Sequence, residues 1–301
     1  MGTSVMRGYG YGLLAVAIWT GFILASRKGG MSALHYTDMM AIRYSVASLV
    51  LLPCWWFGQR FNLLAPRFVI IGMVGGLAYA ICAFQGFASV PGSHAAVLLA
   101  GTMPLMIMIL GALINRERQS AVRWAGVAVI SLGILALGGD TFLASGQLAA
   151  GHGWFLLAAF FWSLFSVGVK RWRITPWQAV VSLAFNTSTL YLPVYILLDL
   201  GNLGAAYAED ILLQAVYQGI LATIIQMFCY VNAVRLIGPS SMGSLMALVP
   251  LSAGLLSVWL FSEPVTVALV TALCLVSAGC WLANYSQSFT IKRRSSCPTS
   301  T

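Results

Sequence analysis

Apolar runs of about 20 residues, separated by short polar segments, recur along the whole chain and predict membrane-spanning helices, since a hydrocarbon core of about 30 Å takes about 20 helical residues to cross. Ten such runs are present, over residues 8–26, 37–58, 67–88, 91–114, 121–139, 151–170, 177–198, 210–233, 240–261 and 265–285. The first is too long an apolar stretch for a removable signal peptide, and its pattern recurs inside the chain at 151–170, so it is expected to be retained. The fold class that follows is an all-α integral membrane protein of ten transmembrane helices.

The ten runs form two matching sets. Leu13, Leu14, Ala15, Trp19 and Phe22 return 143 positions later as Leu156, Leu157, Ala158, Trp162 and Phe165. Pro104, Leu105, Leu110, Glu117, Ser131 and Gly133 return 146 positions later as Pro250, Leu251, Leu256, Glu263, Ser277 and Gly279. Matches that stay in register across most of each half mark an internal duplication. A unit of five spans is odd in number, so its second copy must cross the bilayer upside down. That is the inverted-repeat plan of carriers that expose one midplane site to each side in turn. The expected organisation is a first repeat over 8–139, a second, inverted repeat over 151–285 and a basic tail over 286–301, disordered and held near anionic lipid.

Composition agrees, with 60% hydrophobic and 8% charged residues, outside the range of soluble domains. The net charge of +9 has a topological meaning. All of the 16 Lys and Arg except Arg27, Lys28 and Arg43 fall on the side of the membrane that holds both termini, which the positive-inside rule assigns to the cytoplasm. Six of the seven acids (Asp38, Asp140, Asp199, Glu209, Asp210 and Glu263) fall on the other side. The excess charge is therefore a topogenic signal and not a nucleic-acid surface. The repeat shows the same device, for Arg116, Arg118 and Arg123 flank Glu117, whereas the segment around its mate Glu263 carries no basic residue.

The chemistry is defined first by what is missing. Away from span ends the membrane interior contains no Asp, Glu or Lys, and Arg43, roughly 9 Å into the second span, is the one buried-charge candidate. Enzymes that handle phosphate or metal need clustered carboxylates or histidines. His35, His94 and His152 lie near span ends, and Cys54, Cys82, Cys229, Cys274, Cys280 and Cys297 show no metal-ligand spacing, so no cofactor and no metal is expected. Exporters of lipophilic cations usually carry an intramembrane carboxylate, and nucleotide carriers need cationic cavities. A solute of no net charge, such as a zwitterionic amino acid, fits aromatic, amide and hydroxyl linings.

Candidate linings follow from depth and polarity. Trp19 and Trp162 are repeat mates near mid-span, each followed by a hydroxyl residue, Thr20 or Ser163; they are either cavity walls or bulky packing groups. Tyr79 and Gln85 in the third span, with Thr223, Gln226, Tyr230 and Asn232 in the eighth, form polar stripes that avoid lipid. Gln226 and Tyr230, four apart, share a helical face. Pro104 and Pro250 are mid-span repeat mates that each remove a backbone donor, as a hinge or helix break would. His94 is a candidate proton carrier or a satisfied helix-end group. Arg43 either pairs with Asp38 or meets a solute carboxylate. The pairs Gly8/Gly12 and Gly72/Gly76 have the spacing of close helix contacts.

A mid-span Pro followed 13 residues later by Glu, Pro104 to Glu117 and Pro250 to Glu263, then a small-residue span ending near Gly133 or Gly279, resembles the EamA domain of the drug/metabolite transporter superfamily, over about residues 9 to 285. The resemblance implies two inverted five-helix repeats with the first, third, fourth, sixth, eighth and ninth spans around a central cavity and the fifth and tenth at the periphery. Arg116 departs from the family pattern, which usually has a small residue there. Within the superfamily the chain looks most like bacterial amino-acid exporters of the YddG type. The expected function is a carrier of the bacterial inner membrane that exports amino acids, neutral and aromatic, by facilitated uniport, with Trp19, Tyr79, Trp162, Ser163, Gln226 and Tyr230 in contact with solute. Its partners would be that solute and membrane lipid. An exporter of another metabolite or drug-like molecule is the second reading, and a membrane enzyme or lipid-handling protein the third.

Overall fold

The computed structural model describes residues 3–116, 119–145 and 149–295. Ten helices in it are long and apolar enough to cross a membrane: α1 Thr3–Gly30, α2 Tyr36–Phe57, α3 Pro66–Ser89, α4 Gly92–Asn115, α5 Ala121–Leu143, α6 Ala150–Arg171, α7 Pro176–Leu197, α8 Ala208–Gly238, α9 Ser241–Phe261 and α10 Val267–Asn284. Each overlaps one of the ten runs read from the sequence, and α1 and α8 extend beyond theirs by several residues. The last helix continues to Ser295, so Lys292, Arg293 and Arg294 lie on helical backbone and not in a disordered tail. Residues 296–301, with Cys297, lie outside the described residues, as do Glu117 and Arg118.

Local chemistry sets the helix ends. α7 starts at a capping box, in which the Thr175 hydroxyl accepts from Gln178 N and the Gln178 side chain accepts from Thr175 N, with Pro176 at the first helical position. α2 starts where Asp38 Oδ2 accepts from His35 N at 2.8 Å. α4 and α9 both terminate in a left-handed residue at equivalent repeat positions, Arg116 (φ 53) and Ser262 (φ 50). The unusual Arg therefore preserves the helix stop that a small residue normally makes.

Packing follows the duplication. α5 lies on α10, α2 on α7, α1 on α8 and α9, and α6 on α3 and α4. Exchanging the two repeats turns each of these contacts into another member of the same set, the arrangement an inverted pseudo-two-fold axis requires. Close approach depends on glycine. A Cβ at Gly8 or Gly12 would come within 2.6 Å of Ile237 or 2.5 Å of Leu245, and one at Gly72 would come within 2.5 Å of Asn186; Gly76 sits as tightly against Thr187. Both glycine pairs are thus close contacts, of α1 with the α8–α9 region and of α3 with α7.

Four helices of the bundle are not regular. α3 and α8 contain repeat-related π-helical segments, Gly72–Ala78 and Ala215–Ile225. α4 has another over Ala96–Gly101, just before Pro104, and the helix of α9 breaks at Ala247, just before Pro250. In α4 and α9 the ladder slips ahead of a proline that offers no N–H.

Candidate functional site

A cavity of about 490 Å³ enters the bundle between the repeats, within the ~300–1,000 Å³ range of small-molecule sites. Its mouth is bounded by Arg123 at the start of α5, Ile174 and Pro176 between α6 and α7, and Asn284 at the end of α10. These lie at the end of the bundle where α1 begins and α10 finishes, the basic end. Deeper in, the wall is formed by Met103, Pro104, Gln226, Tyr230 and Met246. Trp19 and Trp162 close the floor, their rings in an edge-to-face contact with centroids 6.2 Å apart. Among the described residues the lining contains one charged side chain, Arg123, and no carboxylate.

Of the residues singled out in the sequence, Trp19, Trp162, Gln226, Tyr230 and Pro104 reach this cavity together. Ser163 does not: it is fully buried, and its hydroxyl donates to the Ala159 carbonyl at 2.6 Å. It faces α4 one helical position round from Trp162, and Ser166 lines the cavity in its place. Tyr79 is buried behind the floor, its ring 4.8 Å from that of Trp162, so it supports a wall without lining it. α3 contributes no lining residue, whereas α5, α7 and α10 supply the mouth; the ring of helices expected from the family resemblance is corrected accordingly. Pro250 is buried beside the lining residue Val249. Thr223 donates to the Gln218 carbonyl, and Asn232 to that of Phe228, so these two satisfy their own helix.

Beyond the tryptophans the bundle is closed by a polar knot that sequence reading did not assemble. Glu263 is 8% exposed and holds the start of α4: Oε1 accepts from Gly92 N at 2.7 Å, and Oε2 from Ser93 N at 2.9 Å. A carboxylate at a helix N-terminus takes up otherwise unpaired N–H groups and complements the helix dipole. Arg27 Nε lies 3.7 Å from the same carboxylate, and Arg27 Nη1 donates to the Phe87 carbonyl at 2.8 Å. The ends of α1, α3, α4 and α9 are joined in this way. Beside them His94 Nδ1 and His152 Nε2 are 2.9 Å apart, and His152 Nδ1 is 3.0 Å from the Ala149 carbonyl. A carbonyl can only accept, so His152 Nδ1 carries a proton, and in the neutral ring Nε2 then accepts a hydrogen bond from His94 Nδ1–H. His94 therefore belongs to this closure and not to the cavity.

Arg43 is also away from the cavity. Asp38, its expected partner, spends its carboxylate on His35 N, Asn202 N and the Tyr195 hydroxyl. Arg43 instead turns inward and donates from Nη1 to Gln218 Oε1 at 3.0 Å.

The geometry is a cavity open at one end of a two-fold bundle, floored by paired tryptophans and sealed at the other end by helix-terminus contacts. Two segments of the chain, residues 6–139 and 149–285, match the family model described as the EamA-like transporter family. No curated protein matches. A solved structure titled "Crystal structure of protein" shares the fold with a TM-score of 0.63 at 21% identity, over 92% of this chain and 96% of that one. With both repeats matched across nearly their whole length, the chain belongs to the EamA-like transporter family.

Proposed function

We propose that this membrane transporter of small solutes exports neutral amino acids, aromatic ones best, from the cytoplasm across a bacterial inner membrane. The observation that carries the reading is the cavity floor, where Trp19 and Trp162 line a space with no carboxylate among its described lining residues. Aromatic rings attract an ammonium through their faces and stack on an aromatic side chain. Gln226 and Tyr230 supply hydrogen-bonding groups on one side of the same space. The mouth lies at the basic end, which the positive-inside rule puts in the cytoplasm, so the cavity is placed to load a cytoplasmic solute. Rocking of the repeats would part the tryptophans, release the Glu263 contacts and close the mouth. The reading includes uniport, since among the described residues the lining offers no carboxylate to carry a coupled proton through the cavity.

The test is competition by Phe, Trp, Ala and Thr against a common labelled amino acid in proteoliposomes. Wild type, Trp19→Ala and Trp162→Ala are compared at matched reconstitution. Loss of an aromatic contact is worth on the order of 1 kcal/mol beyond area, so Phe and Trp should lose several-fold more than Ala and Thr. An unchanged rank order in both variants would assign the pair to packing. Transport of other metabolites with no amino-acid flux would replace the solute class.

A further inference from the structure

Above the tryptophan floor, on the side away from the cavity, a cation is buried with no acid to balance it. Arg43 is 7% exposed and lies about 10 Å in from the start of α2 at Tyr36. Its guanidinium sits over the ring of Phe22 at 5.3 Å, one turn along α1 from Trp19. Among the described residues no acid pairs with Arg43, and Asp38 is committed elsewhere. A charge taken out of water without a counter-charge is costly, and the two ring contacts, with Phe22 and Tyr44, and one amide oxygen offset only part of that.

The neighbours are arranged as half of a recognition site. Gln218 accepts from Arg43 and passes its own Nε2 to Ser26 Oγ at 2.9 Å. Gln214, one turn earlier on α8 and fully buried, donates Nε2 to the Ala25 carbonyl at 2.8 Å. Two buried polar atoms of this cluster then have no partner: Arg43 Nε, a donor, and Gln214 Oε1, an acceptor. Buried polar atoms are nearly always satisfied, and these two differ in kind, one a cationic donor on α2 and the other a neutral acceptor on α8, one turn before the Gln218 that Arg43 already engages. A zwitterion complements that pair with its carboxylate on Arg43 and its ammonium on Gln214.

We infer that Arg43 and Gln214 form a second solute subsite for the α-carboxylate and α-ammonium groups, occupied after the tryptophan floor parts and before release at the far end. The inference rests on the reading of the solute as an amino acid. It makes Arg43 the residue that separates amino acids from amines and amides of the same side chain. Aromatic selection then belongs to the cavity and backbone-group selection to this subsite.

The test measures labelled phenylalanine and labelled phenylalaninamide flux in proteoliposomes for wild type, Arg43→Gln, Arg43→Lys and Gln214→Met. Wild type should move phenylalanine faster than the amide. Arg43→Gln should lower phenylalanine flux by roughly tenfold or more, the worth of a lost charge-assisted hydrogen bond, and leave the amide within about twofold. Arg43→Lys keeps the charge without the Nε donor and should fall between. Gln214→Met, nearly isosteric, should lower both solutes alike, since both carry the ammonium. Equal losses for the two solutes in Arg43→Gln would reduce Arg43 to a structural role and overturn the inference. Wild type moving the amide as fast as phenylalanine would overturn it without any variant, so poor folding of the variants cannot shelter it. Absence of amino-acid flux in wild type would instead overturn the proposed function.

Discussion

Glu263 offers the sharpest perturbation, because its carboxylate is spent on contacts that join helix ends at the shut far end. Two backbone N–H groups at the start of α4 donate to its two oxygens at 2.7 and 2.9 Å. Glu263→Gln keeps shape but has one oxygen, so one N–H must face an amide NH₂ and the other bond loses its charge. A buried donor left unmade costs about 1–3 kcal/mol and the weakened bond about 1 kcal/mol more. The Arg27 contact, at 3.7 Å, adds little. A loss of about 2–4 kcal/mol from the closed state multiplies the far-open population by about 30-fold or more, provided these contacts are absent when it opens. Ser93 reports the change well, being 1% exposed with a hydroxyl that has no partner, so a thiol there forfeits no bond. In a background lacking native cysteines, Ser93→Cys should react with an impermeant reagent at a rate set by the open fraction when reclosing is fast, as in native-state proteolysis. The rate should rise by about 30-fold or more on adding Glu263→Gln. Equal rates at matched yield, or a slower one, would refute the assignment of Glu263 as the clasp of the closed end.

Three other outcomes are expected. Single cysteines at positions 171 and 209 in intact cells should label with an impermeant reagent at 209 alone; labelling at 171 alone would invert the topology. With pH and voltage clamped, a solute gradient should drive flux and a pH gradient alone should drive no accumulation; accumulation that His94→Gln abolishes would make the His94–His152 pair a coupling site. A Cβ at Gly279 would come within 2.6 Å of the Gly126 carbonyl on α5, so Gly279→Leu should cost about 1–3 kcal/mol by overpacking. It should lower the melting temperature in detergent and leave the solute ranking unchanged, since the α5–α10 contact it breaks lies outside the tryptophan floor.

How far the sequence could be read depends on which property each feature needs. Spans and the repeat need only run length and offset, and both were legible: α1 and α6 carry Trp19 and Trp162 at matching depth, and the symmetry that relates them brings the two rings together. Depth is not rotation, however. Ser163 has the depth of Trp162 but turns into α4, and Tyr79 has the depth of the floor but stands behind it, because helices apolar on almost every side carry no periodic signal that says which face meets the cavity. Gln226 and Tyr230 were legible as a pair because an amide and a phenol must avoid lipid and, four apart, must do so together. Long-range polar choices were not legible. Asp38 and Arg43 are five apart on α2, and sequence proximity made them partners; the fold gives Asp38 to the segment after α7 and Arg43 to α8.

The same logic explains why the closure was invisible and why it matters. Arg27, Gly92, His94, His152 and Glu263 come from four separate span ends, and only the inverted packing of the two repeats collects them at one end of the bundle. Glu263 takes two helix-terminal N–H groups that would otherwise lie buried without partners, so opening this end requires either water or another acceptor to reach them. A carrier must pay that desolvation difference in every cycle. The carboxylate sits where the bundle ends and not in the cavity, so it can hold the far end shut without placing a charge in the path of the solute.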